Sequence, residues 1–269
     1  MKFEKINLGL GNAVLDIYKP DKAKNSPAML VIPGGGYAII CDDREGEPIA
    51  LAYLAKGYVC AVLHYSVAPT LSENSPLAEA SKALAYLRKN AVELCIDVNK
   101  VYAVGFSAGG HLCASLGTLW HREDVIAKAE IEYGENKPTA VVLCYPVISA
   151  DTKTNSPHFG SFINLLGKPE LTEKDIDDWS LERHVDEKSA PAFIIHTAED
   201  EIVPVQNALA MGRAYADAGI QFEMHIYPHG PHGFALGNAL TDPNHDGRWS
   251  DEKYARWIDD SIYFFEHLR

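Results

Sequence analysis

VYAVGFSAGGH, residues 101–111, decides how the rest of this sequence is read. Val101, Tyr102, Ala103 and Val104 suit a strand buried on both faces, and they run straight into Gly105, Phe106, Ser107, Ala108 and Gly109. A glycine two positions either side of a serine suits a sharp strand-to-helix turn. The serine there takes a strained backbone conformation, and a Cβ on either flank would strike the neighbouring chain. The stretch that follows, HLCASLGTLW, is small, apolar and helical in character. Such a turn lifts the Ser107 hydroxyl clear of the sheet edge and aims the first amides of the helix at the same spot. Ser107 is therefore predicted to be a nucleophile. The plainer alternative is a glycine-rich packing turn, which a strand before and a helix after make the weaker reading.

Outward from this turn, continuous apolar runs alternate with helical stripes. Residues 28–32 (AMLVI) form a short buried run opening into Pro33, Gly34, Gly35, Gly36 and Tyr37. Residues 58–64, 139–144 and 193–197 read as further buried strands, and 222–227 as an alternating last strand. Helical spacing marks 47–56, 76–94 and 204–218, the last two with Pro at the start and the last ending at Gly219. Residues 3–8 and 13–18 flank Gly9 to Asn12 as an antiparallel hairpin at the sheet edge, and 251–268 reads as an amphipathic closing helix capped by Ser250. The charged stretch 121–137 is expected to run over the surface. This alternation predicts an α/β fold: a mostly parallel sheet covered by helices on both faces, as one domain of residues 1–269. Residues 149–189 are too long for a simple crossover and are read as an insertion over the strand ends. It is either a small lid shaping a substrate pocket or a packed excursion with its aromatics in the core.

Composition narrows the function classes. Hydrophobic residues at 47% and charged residues at 23% are ordinary globular values, and 269 residues bury a large core. A formal net charge of −13 disfavours nucleic acid and anionic membranes as partners. The first twenty residues alternate rather than forming an apolar signal core, so a cytoplasmic, soluble protein is expected. Five scattered cysteines (Cys41, Cys60, Cys95, Cys113, Cys144) read as reduced thiols, with no zinc spacing among them.

A serine hydroxyl is a poor nucleophile until a base takes its proton, and that base needs a third group to orient it. In a sheet of this kind both partners belong in loops after later strands, in the order serine, acid, histidine. The run 198–204 (AEDEIVP) places acids just past a strand, and 228–234 (PHGPHGF) places histidines in the next equivalent loop. Asp200 competes with Glu199 and Glu201, and His232 with His225 and His229. Spacing to the next helix favours Asp200, and the turn residues around His232 favour that histidine. His196, inside a strand, is expected to be a satisfied core residue. Acyl transfer also needs amide donors aimed at the developing oxyanion. Ala108 supplies one, and the glycine loop, through Gly35 and Gly36, is the natural source of the second. Asp242 to Gly247 imitates the first half of a calcium loop but has Lys253 at its twelfth position, so it is read as a turn.

These motifs together resemble an α/β-hydrolase-fold esterase of the lipase/acetylesterase kind, in the branch that includes feruloyl- and acetyl-xylan-esterase-like proteins. The matching stretches are PGGGY (33–37), REGEPIA (44–50), GYVCAVLHYSVAP (57–69), GFSAGGHL (105–112), CYPVIS (144–149), AEDEIVP (198–204) and PHGF (231–234). The resemblance implies Ser107, Asp200 and His232 as catalytic residues, with Gly35, Gly36 and Ala108 as the oxyanion hole. It also implies hydrolysis of short acyl esters of small alcohols or sugars, with no metal or cofactor. Pro33 stands where the commoner motif has histidine. Tyr37 is a candidate to stack on a sugar ring. An amidase or peptidase of the same fold, arylformamidase-like or prolyl-peptidase-like, is the alternative activity, and a non-enzymatic binding module is a third reading. Oligomeric state is left open.

Overall fold

Each apolar run that ends in turn residues becomes a strand of one sheet. The computed structural model describes residues 1–69, 71, 75–151 and 158–269. In chain order it runs β1 (Lys2–Asn7), β2 (Val14–Lys19), β3 (Ser26–Ile32), α1 (Asp42–Glu45), α2 (Glu47–Ala55) and β4 (Val59–His64). Next come α3 (Pro76–Lys89), α4 (Ala91–Leu94), β5 (Ile96–Phe106), α5 (Ser107–Thr118), α6 (Glu123–Ala129) and β6 (Val141–Cys144). The chain ends with α7 (Phe159–Leu166), α8 (Glu173–Trp179), β7 (Ala192–Thr197), α9 (Gln206–Ala218), β8 (Phe222–Tyr227) and α10 (Trp257–Glu266).

The strands lie in the order β1-β2-β4-β3-β5-β6-β7-β8. β1 and β2 form the antiparallel edge hairpin, β2 pairs antiparallel with β4, and β4 through β8 run parallel. Period-two alternation sends successive side chains to opposite faces. Leu30 and Ile32 of β3 pack with Leu77, Leu84, Leu112 and Met211, under α3, α5 and α9. Met29 and Val31 pack with Ile49, Tyr53, Trp257 and Phe264, under α2 and α10. Both faces are therefore core, which is why the strands read as unbroken apolar runs.

From β3 the chain moves outward to β4 and then returns past β3 to β5, so the connections leave in opposite directions at the β3/β5 seam. Loops leaving the carboxyl ends of two such strands splay apart and leave a crevice. In register, Ile32 of β3 faces Gly105 of β5. That brings the glycine loop after β3 beside the serine turn after β5.

Several boundaries differ from the sequence reading. β5 begins at Ile96, because Ser26 pairs with it ahead of the apolar segment. The 76–94 stripe breaks at Asn90, whose amide hydrogens cap Tyr86, giving α3 and α4. The surface stretch after the serine helix contains α6. Ser250 does not cap the last helix: a 3-10 turn at Tyr254–Arg256 leads into α10, and Arg256 stands at its N-cap. Of the 149–189 insertion, residues 152–157 lie outside the described residues. The remainder holds α7 and α8. Phe162 of α7 is buried against the His111 ring, and Asn164 donates to the Gly36 carbonyl at 2.8 Å. The segment thus both fills core space and roofs the glycine loop.

Candidate active site

The turn after β5 has the geometry its glycines demand. Ser107 sits at φ +53°, the left-handed region that side-chain-bearing residues rarely adopt. A Cβ on Gly105 would lie 2.2 Å from the Gly109 carbonyl oxygen, and one on Gly109 would lie 2.3 Å from the carbonyl oxygens of Ile32 and Pro33. Both contacts are with backbone that has nowhere to move, so both positions require glycine. Ser107 opens α5, a helix buried along its whole length, and its Oγ points off the strand end.

Three loops then meet. Ser107 Oγ lies 2.8 Å from His232 Nε2, and His232 Nδ1 lies 2.7 Å from Asp200 Oδ2. An ionised carboxylate only accepts hydrogen bonds, so Nδ1 carries the proton and Nε2 is left to accept from the serine hydroxyl. Asp200 is buried; burial alone would raise its pKa, but the bond to His232 and the amide of Val203 outweigh it and hold the carboxyl below its ordinary value. Its other oxygen accepts from the amides of Ile202 and Val203 at 2.9 and 2.8 Å. The competing groups lie elsewhere. Glu199 pairs with His229 at 2.8 Å, both well exposed, and His225 pairs with Glu223 at 2.7 Å. His196 is a buried core residue, as expected, but only half satisfied: its Nδ1 meets the Thr197 backbone at 2.9 Å. Its Nε2 has no partner and lies 3.9 Å from Asp200 Oδ2, too far for a hydrogen bond.

Beside the serine, the glycine loop is fixed plane by plane. A trans peptide is rigid, so holding a carbonyl also aims the amide of the next residue. The Pro33 carbonyl accepts from Tyr65 Oη at 2.8 Å, and the Gly34 amide at the other end of that plane donates to Glu45 Oε2 at 2.8 Å. The Gly34 carbonyl accepts from Cys41, and the Gly35 carbonyl from Ala38 and Ile39, which sets the Gly35 and Gly36 amides. Gly34 therefore spends its amide on Glu45, while Gly35 and Gly36 take φ of +122° and +64°. A Cβ on Gly34 would lie 3.0 Å from Ser107 Cβ, which measures how closely the loop abuts Ser107. Ala108, in the first turn of α5, has no intrahelical acceptor for its amide.

Tyr37 does not face the cleft, correcting the expectation that its ring would meet a sugar. It is 1% exposed, packs edge-on against Tyr65, and its hydroxyl lies 3.0 Å from His111 Nδ1. The reason is its neighbour: His111 Nε2 faces the Trp179 carbonyl at 3.0 Å and must donate to it, so Nδ1 is free to accept from Tyr37. His111 thereby ties the glycine loop to α8. Burial lowers the His111 pKa from 6.5 to about 4, only partly opposed by the Trp179 bond. The folded protein then binds fewer protons than the unfolded chain between these values. Stability is full above pH 6.5, falls as pH drops through the window and levels off below about 4, a total near 3 kcal/mol from this group. Urea unfolding across that window should show a shallower pH slope for His111→Gln than for the parent; identical slopes would contradict a neutral buried imidazole.

Sequence reasoning missed Glu45 and Tyr145. Glu45 is buried; its Oε1 accepts from Tyr145 Oη at 2.9 Å, and the Arg44 guanidinium lies 3.9 Å away. Burial pushes the Glu45 carboxyl above its ordinary pKa, against the opposing pull of Arg44 and the Gly34 amide. Tyr145, just past β6 at φ +37°, sets its ring edge-on to His232 with centroids 5.1 Å apart, and its hydroxyl accepts from the Ala235 amide at 3.1 Å. Glu45 and Tyr145 both lie in stretches that matched the resemblance, REGEPIA (44–50) and CYPVIS (144–149), but nothing local to either shows that they meet.

An eight-stranded, largely parallel sheet with this serine turn at its crevice defines the chain as an α/β hydrolase. A family model described as BD-FAE matches residues 15–214, and one described as the dienelactone hydrolase family matches residues 179–267. The chain belongs to the BD-FAE family. It is 37% identical over 232 residues to endo-1,4-beta-xylanase B of Butyrivibrio fibrisolvens, covering 84% of this chain and 35% of that protein. It is 30% identical over 230 residues to an acetylxylan esterase of Xylanibacter ruminicola, covering 84% and 45% respectively. The chain thus spans less than half the length of these two curated relatives. Among solved structures, an acetyl ester-xyloside bifunctional hydrolase from Caldicellulosiruptor lactoaceticus superposes with a TM-score of 0.77 at 33% identity, covering 94% of this chain and 89% of that one. These relatives are named as hydrolases and esterases. Among the described residues, no helix is long and apolar enough to cross a membrane.

Proposed function

We propose that this chain is a serine esterase that removes short acyl groups, acetyl above all, from carbohydrate or related alcohols, with no cofactor. The carrying observation is the unbroken line from Ser107 Oγ through His232 to Asp200, at 2.8 and 2.7 Å. In this reading His232 Nε2 takes the serine proton as Oγ attacks the ester carbonyl. The amides of Ala108 and of Gly35 or Gly36 receive the negative oxygen, and Asp200 balances the imidazolium. His232 then returns the proton to the departing alcohol. Water repeats the sequence on the acyl-serine and releases the acid.

The alcohol side supports a sugar. A cleft of about 900 Å³ opens beside His232, lined by Trp249, Asn244, Arg248, Glu199 and His229 among others. A flat indole beside several hydrogen-bonding groups suits a polyhydroxyl ring better than an acyl chain. The loop that presents them is held by buried Asp242, whose carboxylate accepts from the amides of Asn244, His245 and Gly247. The calcium-like run is thus an internally bonded turn. The relatives named for xylan and acetyl esters point the same way. Four of the five thiols are buried and all are unpaired, which fits the reducing compartment of a cytoplasmic protein. We also take the whole chain as one folding unit, since a single sheet joins its first and last strands.

The test is a panel of matched substrates: acetyl, butyryl, octanoyl and feruloyl esters, N-formyl and peptidyl amides, and acetylated xylo-oligosaccharides. The acetyl esters, including the acetylated sugars, should lead; faster cleavage of the amides would replace this reading with the amidase one. Losing an aromatic face of this kind costs about 1 kcal/mol. Trp249→Ala should therefore raise KM for an acetylated xylo-oligosaccharide about five-fold and leave p-nitrophenyl acetate within about two-fold. An equal change on both substrates would remove Trp249 from the sugar site.

A further inference from the structure

The Ser107 mechanism leaves Glu45 unused, yet this carboxylate is buried at the centre of the site. Taking such a group out of water is costly unless every lone pair it offers is answered. Here one oxygen takes the Gly34 amide and the other takes the Tyr145 hydroxyl, with Arg44 alongside. Those partners belong to the two loops that must be aligned with Ser107. Gly34 begins the loop that carries Gly35 and Gly36 past Ser107. Tyr145 lies against the His232 ring and holds Ala235, three residues past that histidine. Arg44 packs on Gly233, where an added Cβ would lie 3.7 Å from its guanidinium nitrogens.

We infer that Glu45 is a positioning residue, which locks the oxyanion loop to the His232 loop through the Gly34 amide and the Tyr145 hydroxyl. Its hydrogen bonds go to Gly34 and Tyr145 and not to Ser107, so it acts through the groups it holds. Without it, the Pro33–Gly34 peptide keeps only its Tyr65 bond and is free to tilt about that end. The Gly35 and Gly36 planes keep their own bonds to Cys41, Ala38 and Ile39, but the loop that carries them loses its anchor at the Ser107 end and shifts with it. A misplaced donor is lost chiefly to the transition state, since the ground-state carbonyl makes little use of it. The inference rests on the esterase reading above and adds one residue to it.

The experiment compares the parent with Glu45→Ala, Glu45→Gln and Tyr145→Phe on p-nitrophenyl acetate, measuring kcat and KM separately. Inhibition by an aliphatic trifluoromethyl ketone, whose adduct with a serine mimics the tetrahedral intermediate, is measured alongside. Loss of one oxyanion donor typically costs about 10² in kcat. Glu45→Ala should accordingly lower kcat about 100-fold, keep KM within about two-fold and weaken the ketone in step with kcat. Glu45→Gln keeps an oxygen for Gly34 but reverses the Tyr145 link, its amide donating to a hydroxyl whose own proton then loses its acceptor, so it should recover part of the rate. Tyr145→Phe should lose about ten-fold in kcat at constant KM.

A cooperatively melting Glu45→Ala with parental kcat would overturn the inference. So would a Glu45→Gln as impaired as the alanine variant, which would assign the role to charge. If Glu45→Ala does not fold, Tyr145→Phe decides: parental kcat there removes the link. A parent that does not hydrolyse the ester at all would instead remove the esterase reading and, with it, this inference.

Discussion

Ser107→Ala is expected to lower p-nitrophenyl acetate hydrolysis by about 10⁴-fold or more, the usual scale for losing a triad nucleophile. The change deletes one oxygen. The Cβ remains, so the left-handed conformation at φ +53° is no more strained for alanine than for serine. The hydroxyl's partner is His232, which keeps its bond to Asp200. The variant should therefore melt within a few degrees of the parent, a shift worth about 1 kcal/mol or less. Activity and fold separate cleanly, which is what distinguishes a nucleophile from a packing serine. Full activity in a folded variant would return the turn to the packing reading.

Asp200→Asn should come second, with a fall in kcat of about 10⁴-fold and little change in KM. The asparagine oxygen still satisfies the amides of Ile202 and Val203, so the loop is preserved. That orientation turns the NH₂ group toward His232 Nδ1. Nδ1 must then accept, Nε2 carries the proton, and the serine faces a donor in place of a base. The imidazolium formed during attack also loses its counter-charge. Glu199→Gln and Glu201→Gln serve as controls and should stay within about three-fold, because Glu199 binds exposed His229 and such surface pairs contribute little. A Glu199→Gln as damaged as Asp200→Asn would mean that the acid had been misassigned.

What could be read from the sequence was local in origin. The serine turn was legible because backbone crowding at Gly105 and Gly109 forbids any side chain, and that demand is written in five consecutive residues. The buried strands were legible because both faces of the sheet are covered, which removes polar residues from them. The acid and histidine positions followed from where loops leave a parallel sheet. What escaped depended on distant partners. Tyr37 looked available to a ligand because nothing nearby shows that His111 and Tyr65, 74 and 28 positions along, enclose it. His111 itself is positioned by Trp179 of the insertion. Glu45 and Tyr145 are 100 residues apart and meet only after the sheet forms. Trp249 lies between the run read as a turn, 242–247, and the closing helix, where no reading was attached to it, and that helix starts later than its pattern suggested because Ser250 follows the loop rather than heading the helix.

The proposed mechanism makes one hydroxyl, activated by a distant imidazole and carboxylate, the reacting atom. Incubation with a fluorophosphonate followed by peptide mass mapping reads that atom out. A single phosphonyl adduct is expected on Ser107, formed rapidly in the parent, much more slowly in His232→Ala and not at all in Ser107→Ala. An unlabelled parent enzyme, or an adduct carried by another residue, would contradict it.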